Sequence, residues 1–141
     1  MSKSDVFEND LLKLIFNATA IADLAENDAT ATATTLTVAL HTADPGEAGT
    51  QLTNETAYTG YVRQTVARTT GGWTVTANSV SPVANIDFPE CTAVPGAAIT
   101  HASVGTGVAN KLLYSGTISP SITMAVGVIP RIKTTSTLTE D

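Results

Sequence analysis

Charge is scarce in this sequence. Asp, Glu, Lys and Arg make up 14% of its 141 residues, where an ordinary globular domain carries about 25%. The seven cations are scattered and outnumbered by 13 acids, giving a net charge of −6. Binding to phosphate backbones needs clustered Lys and Arg, so no direct nucleic-acid partner is expected. There is one cysteine, Cys91. A single thiol excludes an intrachain disulfide and a cysteine-built zinc site. No apolar run approaches the ~20 residues of a membrane-spanning helix, so no membrane partner is expected. The opening stretch Met1-Ser2-Lys3-Ser4-Asp5-Val6-Phe7-Glu8 lacks a basic region followed by an apolar run. It does not read as a signal peptide. The expected setting for synthesis and assembly is a cytoplasm.

What is present points to a folded β-rich chain. Hydrophobic residues are 43% of the sequence, so this is not a disordered acidic tail. A chain of ~150 residues can hide about 68–70% of its unfolded surface. Threonine is abundant in strand-like segments. It is β-branched, suits a pleated surface and gives a polar face without charge. Low charge also removes a usual protection against edge-to-edge pairing. The surface is therefore expected to be covered in part by partner chains, the alternative being a weakly charged monomer kept soluble by its net charge.

Residues 5–26 predict one amphipathic helix. Phe7, Leu11, Leu14, Ile15, Ala18, Ile21, Ala22 and Ala25 recur at spacings of three and four. Asp5 followed by Glu8 imitates a capping box and suits the helix dipole. Residues 27–35 are rich in Ala and Thr and read as a linker or an extended arm ordered by contact. The organisation expected is a helix and arm over 1–30 and a β-sandwich domain over 31–141.

Candidate strands are 35–42, 61–69, 73–77, 83–88, 98–105, 111–118, 122–128 and 131–138. Residues 36–40 alternate Leu36, Val38 and Leu40 with Thr37 and Ala39, a period-2 pattern. Asp44-Pro45-Gly46 then forces a turn. Gly71-Gly72 predicts a hairpin between 61–69 and 73–77. Short strands at this spacing predict an antiparallel β-sandwich or barrel preceded by one N-terminal amphipathic helix. Leu11, Ile15, Leu36, Val38, Leu40, Phe88, Leu112 and Tyr114 are the expected buried residues. The long 45–60 loop is expected to make contacts.

No residue set carries chemistry. His41 and His101 are the natural catalytic candidates, and Asp44 could orient the first. A catalytic triad is defined by geometry, however, and no Gly-x-Ser-x-Gly elbow occurs. Asp44, Glu47 and Glu55 could bind calcium weakly, but the calcium-loop spacing is missing. Solvated loop acids are the expectation. Gly105-Thr106-Gly107 lacks the Lys-Ser or Lys-Thr of a phosphate loop. Tyr58, Tyr61, Trp73 and Tyr114 could line a sugar face, yet core packing accounts for them more simply. Cys91 follows Glu90, which disfavours its thiolate. No catalytic, cofactor or metal site is expected, and the chain is not expected to be an enzyme.

Five segments in order resemble a family of small bacteriophage virion proteins. They are Leu40-His41-Thr42-Ala43-Asp44-Pro45-Gly46, Tyr61-Val62-Arg63-Gln64, Ile86-Asp87-Phe88-Pro89, Ile99-Thr100-His101-Ala102 and Leu112-Leu113-Tyr114-Ser115-Gly116. Such proteins are described as tail-fibre-like or as capsid-decorating. The segment 125–132 departs from that pattern, lacking an acidic residue before a Pro-containing strand. The resemblance implies a structural role in the virion. The first expectation is a capsid decoration, or cement, protein, a homo-oligomer contacting the major capsid protein or other virion proteins. The alternative is a tail-tip or tail-fibre-associated receptor-binding module. A small glycan-acting enzyme is a third reading, and would need paired carboxylates.

Overall fold

The computed structural model describes residues 3–21, 24–25 and 33–140. The chain is mainly β, with antiparallel, sandwich-like sheets and one N-terminal helix. Among the described residues no sheet closes into a barrel. Two compact units are formed, one from residues 1–35, 66–86 and 132–141, the other from 36–65 and 87–131.

The first unit contains α1 (Asp5–Asn17). Ser4, not Asp5, caps it: Phe7 N–H donates to Ser4 Oγ at 3.4 Å, the short polar side chain replacing a missing helical acceptor. The buried stripe is Glu8, Leu12 and Phe16. Leu11 and Ile15 are only half-buried and Phe7 is exposed, so the expected phase is off by one residue. The helix also stops well before residue 26. Ala18 adopts a left-handed conformation at φ 55°, which ends the ladder despite a continuing apolar pattern. Residue 22 and residues 26–32, including most of the expected arm, lie outside the described residues.

No cation occupies the last turn of α1. Arg68 supplies one from elsewhere in the same unit. Its Nε donates to Ile15 C=O at 2.6 Å, and its Nη2 to Leu14 C=O. Terminal helical carbonyls lack intrahelical partners and carry partial negative charge, so a guanidinium there satisfies both.

Helix α1 packs on β3 (Trp73–Thr76) and β4 (Ser79–Pro82). Phe16 meets Trp73 edge-on, ring centroids 5.0 Å apart. Strands β3 and β4 form an antiparallel hairpin through Ala77-Asn78, with Thr76 opposite Ser79. Strand β9 (Leu138–Thr139) adds beside β4. The expected Gly71-Gly72 hairpin is therefore not formed. A Cβ on Gly72 would collide with the Ala67 carbonyl, so this glycine permits a close backbone approach within the loop. The expected 83–88 strand is also replaced. Only the short β5 (Ile86–Asp87) falls within it, and that strand pairs with β8 (Arg131–Ile132).

The second unit is built on β1 (Thr35–His41), β6 (Ile99–Gly105) and β7 (Leu112–Ile122). With β2 (Gln64–Ala67) they form one sheet in the order β2-β1-β6-β7. Strand β1 pairs antiparallel with β6, His41 opposite His101. Leu36, Val38, Leu40 and Phe88 are buried as expected. Thr37, Ala39 and His41 are buried too, so β1 is covered on both faces rather than half-exposed. Leu112 and Tyr114 are only half-buried, because β7 lies at the sheet edge. Residues 123–130 form no strand, contrary to the expectation for 122–128.

Candidate functional site

The buried polar residues of the second unit converge where the 44–60 loop crosses β1 and β6. His41 is fully buried, and its Nδ1 lies 2.9 Å from Thr53 C=O. A carbonyl only accepts, so Nδ1 carries the proton and Nε2 is the acceptor. Ser103 Oγ, 2.7 Å from Nε2, must then donate to it. The same Ser103 oxygen accepts from Gln51 Nε2 at 3.4 Å, and Gln51 Nε2 also donates to Thr37 C=O at 2.9 Å. Burial lowers the His41 pKa, outweighing the Thr53 hydrogen bond and the Glu55 charge, which raise it. The imidazole is held neutral.

A second layer anchors the end of the same loop. Arg63 grips Glu55 with two hydrogen bonds, Nε to Oε1 at 2.6 Å and Nη2 to Oε2 at 2.7 Å. Its Nη1 donates to Asn110 Oδ1 at 2.8 Å. Tyr61 OH donates to Glu55 Oε1 at 2.8 Å and accepts from Leu40 N–H at 3.1 Å. Bidentate guanidinium–carboxylate pairing is the strongest form of side-chain ion pair. The Glu55 hydrogen bond raises the Arg63 pKa further. Burial raises the Tyr61 pKa.

Serine beside histidine is the pairing used by many nucleophilic enzymes. Its surroundings differ here. Ser103 is 2% exposed and His41 0%, and a backbone carbonyl stands where an orienting carboxylate would. Asp44 does not reach His41; its Oδ1 accepts from Gly46 N–H at 2.9 Å, forming a local turn. What this arrangement does is fasten a long loop to a sheet.

The remaining candidate residues do not come together. His101 bridges Thr100 Oγ1 at 2.8 Å and Thr117 Oγ1 at 3.3 Å, between β6 and β7. Glu55 is committed to Arg63 and Tyr61, apart from the exposed Asp44 and Glu47. Among the described residues no three His, Cys, Asp or Glu gather as metal ligands. Tyr58 is buried, with its OH donating to Pro89 C=O at 2.7 Å. Burial pushes its pKa up to about 12. Tyr58 and Tyr61 meet edge-on, and Tyr61 stacks on Phe88. Trp73 is buried against Phe16. Tyr58 and Trp73 are thus core residues, whereas Tyr61 and Tyr114 are half-buried. Cys91 is fully buried.

Sequence reasoning missed Gln51, Arg63 and Asn110 as partners. Their contacts close across irregular loops, where no periodicity signals them. Gly105 marked the place indirectly. A Cβ there would collide with the Gln51 side chain and the Lys111 carbonyl.

A family model described as podophage GP4 fiber I protein gp80 matches residues 2–139. No curated protein matches the chain.

Proposed function

This chain belongs to the podophage fiber I protein family, a family of phage virion structural proteins, and from that premise we propose that it is a component of the tail fibre apparatus. Its place is the virion, in contact with other virion proteins. The observation that carries the fibre assignment is the match along nearly the whole chain to a fibre protein. That match favours the tail over the capsid-decoration role that the sequence motifs first suggested. In this reading the protein is structural and not an enzyme. The His41–Ser103 pair serves support, holding the 44–60 loop rigid on its sheet. Copies of the chain assemble with each other or with neighbouring fibre and tail proteins.

Immunogold labelling of purified virions with an antibody to the chain tests this reading. Gold at the tail, with a handful to a few tens of copies per particle by quantitative mass spectrometry, supports it. Gold distributed over the head, with copies approaching those of the major capsid protein, would sink it in favour of decoration.

A further inference from the structure

Strand β7 ends the four-stranded sheet, and no strand lies beyond it among the described residues. Its eleven residues contain no Asp, Glu, Lys or Arg, and every one is exposed or half-buried. Natural edge strands usually carry charge or Pro to block pairing with other chains. Here Pro120 and two irregularities in the β6–β7 register protect only the ends. Between them the ladder is regular, from Tyr114 opposite Val104 to Thr117 opposite His101.

Gly116 sits inside that regular stretch. Its backbone is not in the left-handed region, so no turn demands glycine. A Cβ built on it meets nothing within 4 Å, so no neighbour among the described residues demands it either. Glycine weakens a strand interior unless another backbone or ligand approaches closely. A residue costly to the free strand and unexplained by the described residues is explained by a partner's large side chain laid over it, as aromatic residues cover glycine across paired strands.

The surroundings specify the partner's charge. A shallow depression beside the strand is lined by Asp44, Glu47, Leu112, Leu113 and Ser115. Neither carboxylate is in an ion pair among the described residues. Lys111, just before the strand, pairs with neither. A second copy of the chain would bring the same two acids and another −6 charge. A basic segment would meet complementary charge instead.

We propose that the β7 edge receives an extended, basic segment of another virion protein, added as a further strand. Main-chain hydrogen bonds form along residues 114–117, a bulky partner side chain covers Gly116, and a Lys or Arg reaches Asp44 and Glu47. Strand addition of this kind draws affinity from the main chain and specificity from flanking pockets. The proposal rests on the virion-structural reading of the chain, but not on tail against head.

The test uses the full chain and a capped peptide of alternating valine and threonine, with a central tyrosine and a lysine at each end. A counterpart carries glutamate at both ends. The expected result is that the lysine peptide shifts and protects backbone amides of β7, read by NMR. The glutamate peptide binds at least about tenfold more weakly, and raising salt weakens the lysine peptide. Asp44→Asn with Glu47→Gln keeps the turn acceptor and removes the charge, and removes most of that tenfold difference. Gly116→Val fills open space in the free chain, so its melting temperature holds or rises while peptide affinity falls. No binding, binding away from β7, or equal binding of both peptides overturns the proposal. So does spontaneous pairing of two copies through β7 without peptide. Immunogold labelling is independent of these outcomes, so a failed peptide test leaves the tail assignment standing and a head location leaves the edge proposal standing.

Discussion

Two residues set the chemistry of the buried polar layer, His41 and Arg63. His41 is fully buried and neutral, donating from Nδ1 and accepting at Nε2. Protonation would put two donors where Ser103 now donates, and would charge a site that burial disfavours. Its folded pKa lies below the ordinary 6.5, chiefly through burial. A depressed folded pKa means that the unfolded chain takes up the proton first. The stabilisation is thus complete above 6.5 and declines as pH falls from there through the folded value. Glu55 opposes this shift, while Arg63 and His101 reinforce it. The melting temperature should fall as pH drops below the ordinary histidine value of 6.5, and His41→Gln should flatten that slope relative to the wild type. Parallel curves for the two proteins would remove His41 as the cause. For Arg63 the expectation is a direct loss. Arg63→Ala leaves Glu55 poorly hydrated, with its side chain 14% exposed, and should cost about 2–3 kcal/mol in urea unfolding. The sequence marked His41 because it ends an alternating strand. It could not show that both faces of β1 are covered, because the covering loop returns through Gln51 and Glu55 by long-range contacts.

At the scale of elements, ends mattered more than interiors. The interiors of β1 and β6 were readable, since alternation and β-branched content are local properties. The end of α1 was not. Ala18, Ile21, Ala22 and Ala25 continue the apolar spacing, yet the helix terminates in a left-handed alanine. A partner for the freed carbonyls lies 53 residues beyond Ile15, in the Arg68 guanidinium over the Leu14 and Ile15 carbonyls. Two glycines in sequence likewise suggested a hairpin, whereas the tight turn uses Ala77, at φ 51°. Alanine in the left-handed region costs roughly 1 kcal/mol or more relative to glycine. Ala18→Gly should therefore raise stability by about 0.5–1 kcal/mol, with circular dichroism showing unchanged helix content. Arg68→Ala should lower stability by about 2 kcal/mol and fray the last turn. Exchange of the α1 amides reports that fraying. Unchanged protection in the variant would mean that the helix end is held by packing alone.

For the whole molecule, the distribution of apolar contacts decides how the chain unfolds. The first unit holds its own core, with Leu12 and Phe16 fully buried and Trp73 and Val80 nearly so. The second holds another, with Leu36, Leu40, Phe88 and Ile99. The chain nonetheless passes between the units several times, so neither is one continuous segment. The helix shares in the core of the first unit, its aromatic anchor Phe16 meeting Trp73 at 5.0 Å. Contact-built cores of this kind open where their packing is weakened, and local opening is visible as hydrogen exchange. Removing a buried phenylalanine ring costs about 3–5 kcal/mol through lost burial and the cavity left behind. Phe16→Ala should therefore accelerate exchange in α1, β3 and β4 by several orders of magnitude, while β1 and β6 keep the protection that their own core provides. Native-state exchange followed by mass spectrometry resolves these segments. Equal loss of protection in β1 and β6 would show that the two cores unfold as a single cooperative unit, and a Phe16→Leu variant, which leaves a smaller cavity, should then restore protection in both together.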